Sequence, residues 1–459
     1  MSHPSVGSDS AFSSGHQRSH QPQHRIAVRS LRDEQYLKLL MVALFLPEGL
    51  SFFIGDFRLS IARVLLIFLS IAAAVRFLSR VGTTSFVCIP SDVVALAAGV
   101  WMVIAAITTD GVLDGLKGAG ALALEFTGSY FVLRSFLGPV DSSVRVIKFS
   151  CKMIVLVVGL ALLDPLTGKL FTYETVKVLT GYVKGSFEYA KGTFSTTMYR
   201  NGIVRAMGPL EHSILFGTAC VWFGALAMCT FQSRLFAWSV VVVAIVGVLI
   251  SQSQGSLVCF ILVIALAAFD HVTRQITARW RILGSLVGLG IGLVYFYSAS
   301  PLATFLRLGG IKEETGWYRQ AIWEAALPVV AQSPYFGVGL TPQWDWQSNG
   351  MLAGDSVDAF WLASALMFGI PGSILIFLTM ASAFWFGAVD KSQYLSSEER
   401  KLSVALGFVI VVAVFQGFTV HIWGTCWTLL GVFAGMRANL AEAAIVRGRV
   451  ARSHEHLCA

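Results

Sequence analysis

The chain has little charge for its length. Only 13% of its 459 residues are Asp, Glu, Lys or Arg, whereas 55% are hydrophobic, and the mean hydropathy is +0.70. A soluble fold of this composition would expose too much apolar surface to stay in solution. The scarcity of charge therefore excludes a soluble protein and indicates an integral membrane protein.

The chain also lacks cysteine pairs with the spacing of a metal-binding or redox motif. The seven cysteines include no CxxC pair and lie mostly inside apolar runs, so we expect free, buried thiols and neither a disulfide nor a zinc framework. No signal peptide is expected before the first apolar run. The net charge of +8 sits in short gaps between apolar runs. That distribution favours membrane orientation over nucleic-acid binding.

About twelve apolar runs have the length of a membrane-spanning helix. We therefore predict an all-α polytopic membrane domain over 35–440, preceded by a polar, disordered cytoplasmic tail at 1–34 and followed by a basic cytoplasmic tail at 441–459. The predicted spans are 36–54, 59–78, 91–109, 117–137, 144–163, 209–230, 234–250, 255–270, 281–299, 369–388, 402–420 and 422–440.

The distribution of basic residues predicts the orientation of these spans. With both termini in the cytoplasm, most Lys and Arg side chains between spans fall on the cytoplasmic side, as the positive-inside rule requires. The two long polar stretches, 164–208 and 300–357, then lie together on the opposite face. For a bacterial inner membrane this face is periplasmic. Residues 357–368 are too short to span and are expected to form a surface or re-entrant helix.

The first polar stretch, 164–208, contains an amphipathic pattern that begins at Tyr173 and Val176. Lysines repeat every seven residues beside it and include Lys184 and Lys191. One interpretation is an interfacial helix whose lysines reach lipid headgroups. The other is a positively charged surface that gathers an anionic lipid-linked sugar. The two are compatible.

The same stretch ends with Arg205, a few residues before Pro209. Proline is favoured in the first turn of a helix, so the sixth span is predicted to begin there, with Glu211 and His212 in its first turn. An arginine near a helix N-terminus is suited to binding phosphate. Alternatively, Arg205 is an interfacial anchor paired with Glu211.

The second polar stretch places Arg319 between aromatic residues, namely Trp317, Tyr318 and Trp323. These rings suit sugar binding or an interfacial belt. They open a short helix that Pro328 is expected to interrupt.

Two acidic residues near or within spans are also candidates. Asp358 follows the second polar stretch, where it could act as a general base or cap a helix. Glu125 lies in the fourth predicted span. Charge within a membrane span is costly, so Glu125 is a candidate contact for substrate or for another helix.

Three motifs in order resemble one family. The chain reads RAMGPLEHSILFG, then GWYRQAIWEAALPVVAQSPYFGVGL, then SVDAFWLASALMFGIPG. This series resembles the O-antigen ligase and Wzy-type polysaccharide polymerase superfamily, and its spelling is similar to the exopolysaccharide polymerase branch. The resemblance implies a GT-C-type, metal-independent glycosyltransferase without a cofactor. It also implies a membrane-embedded, polyprenyl-diphosphate-linked oligosaccharide donor, with a flippase and a chain-length regulator as further partners.

The resemblance also suggests roles for individual residues. Arg205 and Arg319 match the family's two arginines that bind the donor pyrophosphate. The ligases have a histidine, taken as the base, at the position of Asp358, so either Asp358 or Glu211 could activate the acceptor hydroxyl here. A further ligase arginine after the seventh span is replaced by SQSQGS at 251–256.

The expected activity is that of a polymerase, which transfers the glycan onto the next lipid-linked repeat unit at the periplasmic side of the inner membrane. Two alternatives stay open at this point. One is an O-antigen-type ligase, which uses a different acceptor. The other is a lipid-linked oligosaccharide flippase, for which we would expect related halves and polar groups along a central cavity.

Overall fold

The structure is a computed structural model that describes residues 20–55, 57–83, 86–137, 140–183, 198–231, 233–276, 278–308, 313–340, 357–385 and 392–458. Most of these residues are helical and very few form strands, which confirms the all-α prediction. In chain order the helices are α1 His20–Leu44, α2 Ile61–Arg80, α3 Pro90–Asp110, α4 Val112–Ala123, α5 Ser129–Phe136, α6 Val140–Ala161, α7 Leu163–Thr167, α8 Phe171–Thr180, α9 Ser213–Thr230, α10 Arg234–Ser251, α11 Gln254–Val272, α12 Arg279–Tyr297, α13 Pro301–Leu308, α14 Glu313–Gln332, α15 Phe360–Trp385, α16 Ser397–Gln416 and α17 Gly424–Cys458.

Short elements complete the described chain. A π-helical turn, Leu124–Gly128, joins α4 to α5, and a 3-10 turn covers Ser392–Tyr394. Two small antiparallel hairpins pair β1 (Ser51–Ile54) with β2 (Phe57–Ser60) and β3 (Tyr199–Arg200) with β4 (Ile203–Val204).

Within the described residues, nine helices are long and apolar enough to cross a membrane. The other predicted spans also coincide with helices. Helix α1 is polar in its first half and ends at Leu44, α4 and α5 are separated by the π-helical turn, and α16 begins with the charged run SEERK. The prediction of a span over 36–54 was too long at its C-terminal end, because β1 begins at Ser51.

Two helices form the centre of the bundle. Helix α9 packs against α6, α10, α11 and α16, and its Trp222, Phe216 and Phe223 are fully buried. Helix α17 packs against α5 and α15. A Cβ on its Gly431 would overlap the backbone of Phe126 in the π-helical turn, and one on its Gly435 would overlap the backbone of Tyr130 in α5. Such close approach of helix backbones is a common way to stabilise helix packing in lipid, where apolar burial alone gives little gain.

Charged side chains pair at one end of the bundle. Arg134 and Glu442 are buried, and the Nη1 atom of Arg134 lies 2.6 Å from Oε2 of Glu442. The Nε atom of Arg134 also lies 2.8 Å from Oδ1 of Asp92. Arg80 reaches the same Glu442 carboxylate at 2.9 Å. Arg80 follows the predicted span 59–78 and Glu442 follows the predicted span 422–440, and the predicted orientation places both residues on the cytoplasmic side. Their contact is consistent with that orientation.

Helix α15 is bent at Gly369, which has φ 72° and ψ 174°. The segment 360–368 before the bend is largely buried, so the short helix predicted there is present but lies inside the protein. The loop after α14 fits into the bend, because the Val338 amide donates to the Leu366 carbonyl at 2.7 Å and the Ile370 amide donates to the Pro334 carbonyl at 2.8 Å. This contact fixes α14 to α15.

Three local predictions were wrong or too long. Helix α9 begins at Ser213 and not at Pro209, and His212 is its N-cap. Helix α14 continues through Pro328. The amphipathic helix of the first polar stretch, α8, ends at Thr180 because Gly181 adopts a left-handed conformation with φ 71°.

Candidate functional site

Arg205 is held at the end of the β3–β4 hairpin. Its amide donates to the Met198 carbonyl at 2.8 Å, and the next amide, of Ala206, donates to the Ile250 carbonyl at 3.0 Å. Its side chain is 6% exposed, and Nε donates to the carbonyl of Ser251 at 3.3 Å. The guanidinium group therefore lies at the turn between α10 and α11. The hydrogen bond shown is with the end of α10, and an approach of Arg205 to the start of the sixth span stays a prediction.

Arg319 reaches the same turn from α14. Its side chain is 8% exposed, and its Nη2 atom lies 3.7 Å from the position that a Cβ on Gly255 would occupy. Gly255 belongs to the first turn of α11. The structure thus brings Arg205 and Arg319 to opposite parts of one short segment, 251–255, although they are far apart in sequence.

Asp358 is the acidic group of this site. It is half-buried, and its charge acts on both arginines: burial lowers the pKa of each guanidinium, while the Asp358 carboxylate raises it. The net result is a pKa of about 10 for Arg205 and a lowered pKa for Arg319. Burial and the same carboxylate raise the pKa of Tyr318, so the tyrosine also lies near Asp358.

The alternative role of Asp358 as a helix cap does not fit the structure. Helix α15 begins at Phe360, which puts Ala359 at the cap position. The first two amides of the helix are bonded elsewhere, because Phe360 donates to the Val420 carbonyl at 3.1 Å and Trp361 donates to the Gly417 carbonyl at 3.2 Å. The turn after α16 therefore satisfies the start of α15.

The N-terminus of α11 forms one wall of the site. Ser253 caps this 19-residue helix and accepts from the Ser256 amide at 3.3 Å. The first turn of such a helix carries partial positive charge and suits an anion. The helix start packs closely here, since a Cβ on Gly255 would lie 3.1 Å from the Val420 side chain, which is tighter than an ordinary contact.

Arg200 is a functional candidate that the sequence interpretation missed. It is half-buried on β3, and its Nη1 donates to the Gln252 carbonyl at 2.6 Å. Its charge lowers the pKa of both Arg205 and Arg319. The only sequence signal was its position five residues before Arg205, which does not show that a hairpin folds the two side chains onto one turn.

Glu211 precedes α9 in sequence, and its side chain contacts the first turn of α17. Its Oε1 accepts from the Thr425 amide at 2.8 Å and from the Thr425 hydroxyl at 2.9 Å. Burial raises the pKa of Glu211, and the Thr425 hydrogen bonds oppose that shift. The side chain therefore connects the segment before α9 to the N-terminus of α17.

His212 is fixed at the start of α9, where its Nδ1 accepts from the Ile214 amide at 3.1 Å. Its ring faces Trp423, with ring centroids 5.7 Å apart. The His421 ring also stacks on Trp423, with ring centroids 5.1 Å apart and an interplanar angle of 23°. The Nδ1 atom of His421 is buried without a hydrogen-bond partner, and burial lowers the pKa of this imidazole to about 4.

The other predicted contact residues lie in different places. Trp317 is 58% exposed, whereas Trp323 donates to the Phe418 carbonyl at 3.2 Å and stacks on the Phe418 ring. Glu125 is buried in the π-helical turn, and its Oε1 binds the Nε of Arg63 at 2.6 Å. Glu125 thus contacts another helix, α2. Lys184 and Lys191 lie outside the described residues.

Among the described residues, no group of three or more His, Cys, Asp or Glu side chains is arranged to hold a metal ion. The chemistry that the site itself offers is anion binding. Three guanidinium groups lie at the turn before the N-terminus of α11, and the one carboxylate that acts on two of them is Asp358, so these groups together carry excess positive charge.

Fold and site together define a multi-pass helical membrane protein with a basic polar site at the turn between α10 and α11. Residues 239–377 match the family model described as O-antigen ligase, Wzy_C. The match includes Arg319 and Asp358 but not Arg205. It confirms the resemblance to the O-antigen ligase and Wzy superfamily, whereas the exopolysaccharide branch stays a prediction. A search of curated proteins found no match to the chain.

Proposed function

We propose that this protein is a membrane glycosyltransferase that polymerises polysaccharide repeat units. In this proposal the donor is a glycan linked to polyprenyl diphosphate, and the acceptor is the next lipid-linked repeat unit. The observation that carries it is the convergence of Arg205 and Arg319 on residues 251–255 beside Asp358. Two buried guanidinium groups at a helix N-terminus suit a diphosphate leaving group.

The reaction proposed for this site has one displacement step. The acceptor hydroxyl oxygen bonds to the anomeric carbon of the donor sugar, while the bond from that carbon to the diphosphate oxygen breaks. The hydroxyl proton moves to the carboxylate of Asp358, and the bonding electrons leave with the diphosphate. Arg205 and Arg319 would stabilise the charge that grows on the leaving group, an effect of about 3 kcal/mol for each preorganised contact.

Asp358 is the better candidate for the general base of the two acidic residues. Glu211 already accepts two hydrogen bonds from Thr425 at the start of α17, which fits a structural role. Asp358 is half-buried and electrostatically coupled to both arginines. Trp317 and Tyr318 precede Arg319 on α14 and are proposed to contact the sugar.

The proposed location is the bacterial inner membrane, with both termini in the cytoplasm and the site at the periplasmic face. The ion-paired end of the bundle around Arg80 and Glu442 supports this orientation. A flippase that delivers the donor and a regulator of chain length are the proposed partner proteins.

A reconstitution of the purified full chain with lipid-linked repeat units tests the proposal. Chain growth should fall by about 10²-fold or more in Arg205→Ala and in Arg319→Ala. Arg400→Ala is the control, because Arg400 is an exposed arginine in the first turn of α16, outside both polar stretches. Unchanged chain growth in folded Arg205→Ala and Arg319→Ala proteins would contradict the mechanism.

The same system separates the three activities. A polymerase extends one repeat unit with another, so longer lipid-linked chains appear without any second type of acceptor. A ligase forms product only when a different acceptor is supplied. A flippase moves the lipid-linked unit across the vesicle membrane and forms no new glycosidic bond.

A further inference from the structure

Arg200 stands apart from the residues assigned to the donor site. It belongs to a two-residue strand whose hairpin partner leads directly into Arg205. The hairpin is closed by the hydrogen bond from the Arg205 amide to the Met198 carbonyl. This fold turns Arg200 and Arg205 toward the same neighbour, the segment between α10 and α11.

The contacts of three arginines follow one another along this segment. Arg205 donates to the carbonyl of Ser251, Arg200 donates to the carbonyl of Gln252, and Arg319 lies against Gly255. Of the two hydrogen bonds, the one from Arg200 is the shorter, at 2.6 Å. This hydrogen bond uses one N–H group of Arg200, and the other N–H groups of the guanidinium take no part in it.

The charges around the segment are unequal. Arg200, Arg205 and Arg319 bring three positive charges, and Asp358 brings one negative charge. Arg200 acts unfavourably on both other arginines, because its charge lowers their pKa. Holding three guanidinium groups together in a partly buried site costs free energy, and a bound anion of two or more negative charges would offset that cost.

We propose that Arg200 is a third ligand of the donor diphosphate and makes the site select diphosphates over monophosphates. The inference rests on the proposed function, since it deepens the assignment of the donor site. A diphosphate carries more negative charge than a monophosphate and presents oxygens on two phosphorus atoms. Two arginines and a helix N-terminus can satisfy one phosphate group, so the third arginine contributes chiefly when a second group is present.

A purely structural role makes a different prediction. Arg200 could serve only to attach the hairpin to the Gln252 carbonyl and so position Arg205. In that case its removal would weaken binding of every phosphate ligand to a similar extent, because Arg205 would be displaced for all of them. The ratio of the affinities for diphosphate and monophosphate separates the two roles.

The experiment measures binding of polyprenyl diphosphate and of polyprenyl monophosphate to the purified full-length protein in lipid nanodiscs. Wild type should prefer the diphosphate. Arg200→Gln should weaken diphosphate binding by about tenfold and monophosphate binding by less than about threefold. Arg400→Gln is the matched control and should change neither affinity, because Arg400 is an exposed arginine in the first turn of α16, outside both polar stretches.

Each other outcome has a definite meaning. Equal weakening of both ligands, or none, in Arg200→Gln overturns the role of Arg200 while the donor site of Arg205 and Arg319 stands. If wild type binds neither lipid, the proposed donor site fails and the inference fails with it. Should Arg200→Gln not fold, Arg200→Met serves instead: it also removes the charge but keeps an unbranched apolar stem, and an unchanged affinity ratio in that variant overturns the inference.

Discussion

Arg205 and Arg319 approach one turn from two different directions. Arg205 comes from a hairpin before α9 and bonds to the last carbonyl of α10, whereas Arg319 comes from α14 and lies at the first turn of α11. Neither arginine is next to Asp358 in sequence, yet the charge of Asp358 acts on both. The site is therefore assembled by tertiary packing and not by a local motif.

The proposed base can be tested at Asp358. Asp358→Asn should lower the rate of chain growth by about 10² to 10⁴-fold, because the amide cannot accept the hydroxyl proton. Binding of polyprenyl diphosphate should persist, since both arginines remain. The measurement is turnover together with donor affinity. A full rate in Asp358→Asn would show that another group is the base, and Glu211→Gln would then be the next variant.

Replacement of Asp358 by His gives a second, independent readout. In the ligases of the superfamily that this chain resembles, a histidine stands at the position of Asp358. Asp358→His should therefore retain part of the activity that Asp358→Asn loses. An imidazole takes up protons at a higher pH than a carboxylate does. The acid limb of the pH–rate profile should therefore move to higher pH in Asp358→His. A profile identical to that of wild type would argue against proton transfer at this position.

Gly369 should not tolerate a side chain. Its φ of 72° and ψ of 174° are accessible almost only to glycine, and a Cβ would overlap the carbonyl oxygen of Tyr335. Gly369→Ala should lower the free energy of unfolding by about 1–3 kcal/mol or more and lower the melting temperature. Gly284→Ala is the control, because a Cβ on Gly284 would meet nothing within 4 Å. Equal stability of the two variants would contradict the packing at the bend.

Glu125 and Arg63 should behave as a structural pair. Removal of one partner, as in Arg63→Met, leaves a charge in a largely buried site and should cost roughly 2 kcal/mol, less than the 3–5 kcal/mol of fully buried pairs. The double variant Arg63→Met with Glu125→Gln should recover part of that loss. Thermal unfolding of the four proteins measures the coupling. If Glu125→Gln alone abolishes chain growth without loss of stability, Glu125 contacts substrate.

His421 should make the protein sensitive to acid. Its folded-state pKa of about 4 lies below the ordinary value of 6.5, so the unfolded chain binds a proton more readily than the folded chain does. The stability that neutral His421 provides is full above about pH 6.5 and is lost as the pH falls toward 4. Melting temperatures between pH 7 and pH 4.5 should fall less steeply in His421→Phe. Parallel curves for the two proteins would exclude this contribution.

The helices were predictable because a membrane leaves little choice: a long apolar run must satisfy its own backbone hydrogen bonds. The start of α9 was not predictable in the same way. The amides of Met207 and Gly208 donate to the buried carboxylate of Asp164, which holds the segment before Pro209 in a turn. Asp164 lies more than forty residues earlier in the sequence, so the local pattern gave no sign of this contact.

Pro328 shows a second limit of local patterns. A proline inside a helix removes one backbone hydrogen bond and usually breaks or bends the helix. Here Pro328 and Glu324, whose carbonyl loses its partner, are both exposed, and that carbonyl can face water or headgroups. Arg200 was missed for a related reason, because a two-residue strand carries too little pattern to indicate a hairpin.

The hydrogen bonds that fasten the loop after α14 into the bend of α15 have a mechanical consequence. Arg319 lies on α14 and Asp358 stands two residues before α15, whereas Arg205 is anchored to the end of α10. We therefore expect Arg319 and Asp358 to move together when a bulky glycan enters the site. A diphosphate bound by Arg205 and Arg319 would then connect the two parts of the site. Its departure with the lipid carrier would allow the two parts to separate before the next donor binds.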